Sequence, residues 1–405
     1  MHALDGKRVL LGVTGGIAAY KACVVARALM KEGALVKTVL TRAAERFVTP
    51  LTFEALTGQP CLTDDALFAG GPAAHVALGR EADLIVIAPA TANTIAKLAH
   101  GLADNLLTNV VLASTAPVLV CPAMHSQMWL APPVQENIQR LHRPRFTVME
   151  PDTGDLASSD SGPGRFPEPQ DVVMEAAAAL TPKDLVGRRI VVTGGPTRER
   201  IDVVRFISNP SSGRMGMALA QAAQARGAHV TLILGPTEVR PPRSLRPEEG
   251  RGSLQVKRVE TAQEMLEATR EAVLGAHALL MAAAVADERP KDQVGRKLHK
   301  GELPRVIEME PTPDILLSLK EILSGKVVLG FAAESDDLVQ SGRQKLEAKG
   351  LSLLFANPVG GGKGFGAVEN QGVLLRNDGT MREIGPVPKE ELAQTLLDEV
   401  AARLK

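Results

Sequence analysis

The strongest constraint on this chain is a local pattern that it uses twice. Near the start, an apolar run over Val9–Val13 meets a Thr14-Gly15-Gly16 turn. A helix over Ile17–Met30, ending near Gly33, and a second apolar run over Leu35–Leu40 follow. Near the middle, Arg189–Val192 leads into Thr193-Gly194-Gly195-Pro196, a helix over Met215–Arg226 ended by Gly227, and a strand over His229–Leu234. Strand–turn–helix–strand openings commit their strands to a parallel sheet covered by helices. Two of them nearly half a chain apart predict two layered, Rossmann-like α/β domains, and 405 residues let each bury its own core. Further buried strands are expected at Leu84–Ala88, Val118–Val120, Leu279–Ala284, Val327–Phe331 and Leu351–Phe355, with a helix over Thr94–Leu112. The boundary is placed within Thr181–Arg188, after the alanine-rich helix Asp171–Leu180, giving domains 1–187 and 188–405. Pro236–Ser253, Asp287–Pro304 and Pro358–Gly366 lack periodicity and are candidate functional loops.

Charge narrows the function classes. Lys+Arg and Asp+Glu both count 46, so the net charge is zero and the electrostatic case for a nucleic-acid binder is poor. One Trp and one Tyr leave almost no stacking platforms for single strands. The cysteines, Cys23, Cys61 and Cys121, form no CxxC pair, which points to a reducing, cytoplasmic setting. No apolar run approaches the ~20 residues of a membrane helix. Two glycines and Lys21 interrupt the apolar opening, so a signal peptide is not expected.

Glycine turns after a first strand offer backbone N–H groups and a helix N-terminus to a phosphate or flavin. Taken alone, TGG is equally an unliganded tight turn, and neither copy is the GxGxxG of a nicotinamide dinucleotide site. The wider motifs are more specific. GVTGGIAAYK (12–21), HVALGREADLIVIAPATANTIAKLAHGLADNLLT (75–108) and PAMHSQMW (122–129) resemble the flavin-containing cysteine decarboxylase family. The segments 191–216, MAAAVAD (281–287), TPDIL (312–316), LGFAAES (329–335) and RQKLEAKG (343–350) look like phosphopantothenate–cysteine ligase. Their order resembles the bifunctional bacterial enzymes of coenzyme A biosynthesis over nearly the whole chain.

For the first half, the resemblance implies a flavodoxin-like FMN domain that decarboxylates 4′-phosphopantothenoylcysteine to 4′-phosphopantetheine. It places Gly15, Gly16 and Ile17 against the flavin, Thr41 at the FMN phosphate, and Asn93 and Thr94 in the family's PxxxNT motif. His75 matches the family's active-site histidine, and an imidazole of pKa about 6.5 suits a base for a thiol. Two positions depart from the family. His125 stands where PAMN has the asparagine that helps hold the departing carboxylate. Ser158 stands where the flap motif LACGDxGxGR has its proton-donating cysteine, and a hydroxyl is a far weaker acid than a thiol of pKa about 8.5.

For the second half, the resemblance implies joining 4′-phosphopantothenate to cysteine with CTP and Mg²⁺ through an acyl-cytidylate. It assigns nucleotide contacts to Met281, Ala282, Ala283, Asp287, Pro313, Asp314, Ile315, Leu316, Phe331, Lys345 and Lys349. Asn209 is the expected stabiliser of the acyl-cytidylate, with Arg205 before it. Lys297 and Lys300 match a KxKK motif in which His299 replaces the middle lysine. Arg214, Arg200 and Val368 are milder departures. No Mg²⁺ ligand is assigned. The resemblance also implies homo-oligomers: decarboxylase trimers with FMN at subunit contacts, ligase dimers, and hence a dodecamer. The alternative is an active ligase fused to an impaired or non-catalytic flavin-binding module, motivated by Ser158 and His125. An ordinary nucleotide-dependent oxidoreductase is disfavoured by the absent GxGxxG.

Overall fold

The structure, a computed structural model, describes residues 3–69, 73–156, 160–239, 252–302, 304–334, 337–358 and 369–405. The chain divides into two compact units, Met1–Pro182 and Lys183–Lys405. Residues 183–187, counted with the first domain on sequence grounds, lie in the second unit. Leu185 is fully buried in that unit's core, and its N–H donates to the Arg226 carbonyl at 3.0 Å. Asp184 pairs there with the buried Arg226 guanidinium.

The first unit holds β1 (Arg8–Val13), β2 (Leu35–Leu40), β3 (Cys61–Leu62), β4 (Leu84–Ala90), β5 (Val118–Pro122) and β6 (Phe146–Val148). They form a fully parallel sheet in the order β3-β2-β1-β4-β5-β6. Side chains on a strand alternate between faces, so these unbroken apolar runs feed two cores. Val9, Leu11 and Val13 pack with helices Ala19–Lys31 and Pro169–Leu180; Leu10, Ile85 and Ile87 pack with Ile95, Leu107 and Val110 on the other face. The single helix expected over 94–112 is two helices, Ala92–His100 and Leu106–Ala113. Gly101, in the left-handed region, closes the first, and the Asn105 side chain caps the second by accepting the Thr108 N–H at 3.0 Å. A hairpin of β7 (Asp152–Asp155) and β8 (Ser161–Arg165) follows the sheet.

The second unit contains β9 (Arg189–Gly194), β10 (Arg198–Arg200), β11 (Phe206–Ser208), β12 (His229–Leu234), β13 (Leu254–Arg258) and β14 (Ala278–Met281). It continues with β15 (Glu288–Pro290), β16 (Met309–Pro311), β17 (Val327–Glu334), β18 (Leu353–Pro358), β19 (Glu369–Arg376) and β20 (Met381–Pro388). Its main sheet runs β13-β12-β9-β14-β17-β18-β19-β20, parallel up to β18 and antiparallel over the last two strands. Ile190, Val192 and Leu280 face helices Arg214–Ala225 and Lys389–Arg403, while Val191, Leu279 and Val328 face helices Ala262–Val273 and Leu338–Lys349. The strand expected over 279–284 ends at Met281, because residues 282–287 leave the sheet to cross the glycine turn. The aperiodic stretch 287–304 is not featureless: β15 pairs with β16 in a hairpin, and Leu298 is buried. The candidate loop 236–253 lies largely, and 358–366 almost wholly, outside the described residues.

In both sheets the chain direction of strand order reverses beside the first strand, between β1 and β4 and between β9 and β14. Crevices at the carboxyl ends of such strand pairs are where open parallel sheets bind ligands.

Candidate active sites

In the first unit, Thr14 clips the two crevice loops together. Its Oγ1 donates to the Pro89 carbonyl at 2.7 Å and accepts the Thr91 N–H at 3.0 Å. Gly15 is required by packing, since a Cβ there would stand 2.4 Å from the Ala43 Cβ. Gly16 has room: a Cβ would meet only Thr91 Cγ2, at 3.7 Å. Ile17 is 62% exposed, and with exposed Tyr20 and Val24 it forms an apolar stripe down one side of the helix. Thr41 is buried beside the same edge, its Oγ1 3.3 Å from the Val13 carbonyl. Asn93 is exposed at the start of helix Ala92–His100. Thr94 is buried, and Thr91 Oγ1 caps its N–H at 3.4 Å.

His75 is half-buried in the first turn of helix Ala74–Glu81. That helix leads into β4 and therefore starts at the carboxyl edge of the sheet. Leu78 nonetheless packs it on the face opposite helix Ala19–Lys31. The structure thus gathers Gly15, Gly16, Ile17, Thr41 and the 91–94 loop at one edge but puts His75 across the sheet from the glycine turn's helix.

A second group forms around the β7–β8 hairpin. His125 Nδ1 accepts the Gln127 N–H at 3.2 Å, capping helix Ser126–Leu130, while Nε2 stands 2.9 Å from Asp160 Oδ2. With Nδ1 accepting, the proton belongs on Nε2, where it is donated to the carboxylate. The hairpin lies flush on this loop: Met124 N–H donates to the Gly164 carbonyl at 2.9 Å, and a Cβ on Gly162 would be 2.4 Å from Ser126 Oγ. Ser126 Oγ is buried and has no hydrogen-bond partner among the described residues. Ser158, two residues before Asp160, lies outside the described residues. Burial raises the thiol pKa of Cys23, Cys61 and Cys121, so none of them substitutes as a ready acid or thiolate.

The second unit has a cleft of about 530 Å³. Of the residues expected at the ligase site, Asn209, Met281, Ala282, Ala283, Asp287 and Phe331 line it, and so do Pro313, Asp314, Ile315, Leu316, Lys345 and Lys349. The sequence folds this way because the MAAAVAD segment is hung on the glycine turn. Ala283 N–H donates to Thr193 Oγ1 at 3.2 Å, Ala284 N–H to the Gly195 carbonyl at 3.0 Å, and Ala286 N–H to Thr197 Oγ1 at 3.0 Å. Asn209 Nδ2 holds the same segment, donating to the Ala284 and Val285 carbonyls at 3.3 and 3.1 Å. Lys345 Nζ lies 2.5 Å from Glu334 and Lys349 Nζ 2.9 Å from Asp314. Burial acts to raise the Asp314 carboxyl, but Lys349 and the Leu317 N–H outweigh it and leave it lowered. Phe331 meets Phe355 edge to face at 5.8 Å.

Lys297 is not among the cleft-lining residues. It sits in the basic segment between Arg296, paired with Glu302, and Leu298, whose N–H donates to Asp202 Oδ2 at 3.2 Å. Asp202 is the buried anchor of this segment and carries no motif. Burial acts to raise its carboxyl; the N–H groups of Arg205, Val204 and Leu298 and the Arg205 charge overturn that and hold it at about 2. Sequence reasoning also missed Asn357, Asn370 and Lys389, all of which line the cleft. Each is a lone polar residue whose orientation depends on tertiary packing. Among the described residues, no group of three or more His, Cys, Asp or Glu is placed to hold a metal ion.

Two family models divide the chain much as the structure does: Flavoprotein matches residues 1–181, and DNA/pantothenate metabolism flavoprotein C-terminal domain matches residues 185–404. The coenzyme A biosynthesis bifunctional protein CoaBC of Mycobacterium tuberculosis (strain ATCC 25618 / H37Rv) is 42% identical over 422 residues, covering 100% of this chain and 98% of that protein. The chain belongs to the bifunctional coenzyme A biosynthesis family. The Bacillus subtilis (strain 168) member is 41% identical over 408 residues, covering 99% of this chain and 98% of its own. The crystal structure of the C-terminal domain of a CoaBC covers 55% of this chain and 98% of that chain at 36% identity, with a TM-score of 0.46. Family membership agrees with the architecture described above, a flavodoxin-like flavoprotein unit followed by a second α/β unit. Among the described residues, no helix is long and apolar enough to cross a membrane.

Proposed function

We propose that the chain is a bifunctional enzyme of coenzyme A biosynthesis, joining 4′-phosphopantothenate to cysteine with CTP and decarboxylating the 4′-phosphopantothenoylcysteine formed. The observation that carries the ligase reading is the convergence of Asn209 and of every expected nucleotide-contacting residue on one cleft, with Arg205, Lys297 and Lys300 outside its lining. In this reading the substrate carboxylate attacks the α-phosphorus of CTP, expelling pyrophosphate and leaving an acyl-cytidylate. The cysteine amine then attacks the acyl carbon and CMP departs. Asn209, fixed to the 284–285 carbonyls, positions the acyl phosphate; Phe331 and the 281–283 backbone flank the base; Lys345 and Lys349 carry positive charge to the site. Asp287 and Asp314 line the same cleft, which suits a Mg²⁺ held by one or two carboxylates together with substrate phosphates.

In the first unit, the residues fit FMN: a glycine turn with space beside Gly16, an exposed apolar stripe, Thr41, and the N-terminus of helix Ala92–His100 carrying Asn93. FMN held by the Gly15–Gly16 turn, Thr41 and Asn93 would supply reversible two-electron redox chemistry to the substrate thiol. His75 removes the thiol proton, His125 faces the carboxylate, and Ser158 occupies the proton-donor position. Exposed Ile17, Tyr20 and Val24, with His75 on the far face of the sheet, support a trimer in which one copy's His75 completes another's flavin site. Ligase pairing then makes a dodecamer.

The test is to assay both reactions on the intact chain. Pyrophosphate release that requires 4′-phosphopantothenate, and is faster with CTP than with ATP, supports the ligase; no release with either nucleotide sinks it. A second reading, a flavin module with impaired chemistry, is favoured by Ser158 and by the engagement of His125 with Asp160. A yellow protein with an FMN spectrum that turns over phosphopantothenoylcysteine excludes that second reading; a yellow protein that does not turn it over establishes it.

A further inference from the structure

The two carboxylates of the ligase cleft are held in different ways. Asp314 is fixed through its side chain, by Lys349 and by the Leu317 N–H. Asp287 is exposed in the same cleft, and among the described residues no hydrogen bond or ion pair holds its carboxylate. Where that carboxylate stands is therefore set by its main chain. Two threonine hydroxyls from other segments tie that main chain down. Thr197, fully buried, accepts the Ala286 N–H at 3.0 Å. Thr312 donates its hydroxyl to the Ala286 carbonyl, and its own N–H donates to the Asp287 carbonyl at 3.0 Å. Ala286 is thus held at both its N–H and its carbonyl, one residue before Asp287. Thr312 follows β16 and Asp287 precedes β15, so the N–H contact extends that hairpin by one rung and the hydroxyl adds a bond outside the ladder. Thr312 lines the cleft, yet the single proton of its hydroxyl is committed to Ala286. Its branched side chain has few rotamers to lose, which suits a strut.

We propose that Thr312, with Thr197, is a positioning residue of the ligase: the two hydroxyls fix the peptide units that carry Asp287 and so aim its carboxylate at the nucleotide. This rests on the reading that the cleft takes CTP with Asp287 among its contacts, and it adds two residues that act through Ala286 and Asp287. A carboxylate held only through its backbone loses its aim when that backbone is released, so the hydroxyls matter to nucleotide binding more than to the fold.

The test is steady-state kinetics of pyrophosphate release by the intact chain, with CTP, 4′-phosphopantothenate and cysteine varied in turn. Unaltered protein that releases no pyrophosphate overturns the underlying reading before any variant is made. Given turnover, Thr312→Val keeps the shape of the side chain, removes the hydroxyl and raises the KM for CTP about fivefold or more. The kcat and the other two KM values stay within about twofold of the parent, and Thr312→Ser recovers most of the loss. In an Asp287→Ala background the same Thr312→Val step changes kcat/KM for CTP by less than about twofold, because the group it positions is gone. An unchanged KM for CTP in Thr312→Val overturns the inference. So does a loss that persists in full in the Asp287→Ala background. A rise in all three KM values with a lowered unfolding midpoint and no recovery by serine also overturns it, since Thr312 is then a structural residue. If Thr312→Val does not fold, Thr312→Ala, which removes the hydroxyl without adding a methyl beside the Ala286 carbonyl, carries the same comparison with the same outcomes.

Discussion

The two TGG turns are nearly identical in sequence and are used in opposite ways. Residues 191–197 are all buried, and Thr193, Gly195 and Thr197 hold the 283–286 backbone that walls the cleft. At the first turn only Thr14 is buried; Gly15 and Gly16 are half-exposed and Ile17 faces outward. One turn is a brace beneath a cleft wall, the other lies open at the edge of its sheet. The difference lies in the path the chain takes on leaving β4 and β14. After β4 the chain turns at once into helix Ala92–His100, whereas after β14 six residues run back across the turn before β15 begins. A glycine turn thus identifies a crevice without telling which of its sides receives the ligand.

The comparison breaks most decisively at Asn209. Asn209→Ala is expected to lower ligase kcat by about 100-fold, the cost of losing one well-placed polar group at a developing charge, with the flavin spectrum unchanged. A fall of less than threefold would move Asn209 out of the site. The glycines sharpen it next. A Cβ on Gly216 would stand 2.6 Å from Gly194 Cα and 2.8 Å from the Thr193 carbonyl, backbone that cannot step aside. Gly216→Ala should therefore cost about 1–3 kcal/mol, read as a lower denaturant midpoint. Gly16→Ala has room for its methyl and should leave that midpoint in place while weakening FMN retention on gel filtration. Equal midpoint losses in the two variants would erase the distinction between brace and open turn.

Period and proximity account for the parts of the molecule that were legible in the sequence. Apolar runs such as 84–88 and 190–192 announce strands buried on both faces, and contiguous motifs such as 281–287 and 312–316 announce cleft walls. The features that escaped depend on meetings between distant residues or on a single side chain. Gly101 and Asn105 end one helix and start another inside an otherwise continuous helical composition. The apolar run of β14 continues into Ala282–Ala284, so nothing in hydropathy marks where the strand stops and the cleft begins. Asp202 and Leu298, like His125 and Asp160, are paired only by the fold. Lys389 reads as an ordinary solvent-facing lysine until its burial is seen.

Ser158→Cys sharpens the other side of the comparison. It restores a thiol to the flap and is expected to raise decarboxylation at least tenfold while leaving ligase turnover alone. No gain would show that His125 and Asp160, or another group, already supply the proton.

The smallest expected effect tests how the ligase side is braced. The Asp202 carboxyl sits at about 2, below its ordinary 3.8, because it accepts the N–H groups of Val204 and Arg205 at 2.7 Å each and of Leu298 at 3.2 Å, besides the Arg205 guanidinium. A carboxyl depressed on folding stabilises the folded chain above its unfolded pKa and loses that contribution as pH falls through the folded value. Its share is therefore complete above about pH 4 and fades toward pH 2. Asp202→Asn removes it. The variant should be less stable at neutral pH and should lose less stability than the parent between pH 4 and pH 3, measured by denaturant midpoints at each pH. Because Leu298 then loses its anchor next to Lys297, the KM for CTP should rise in step. Parallel pH curves for parent and variant would mean that Asp202 is not what fastens the basic segment to the 201–205 turn.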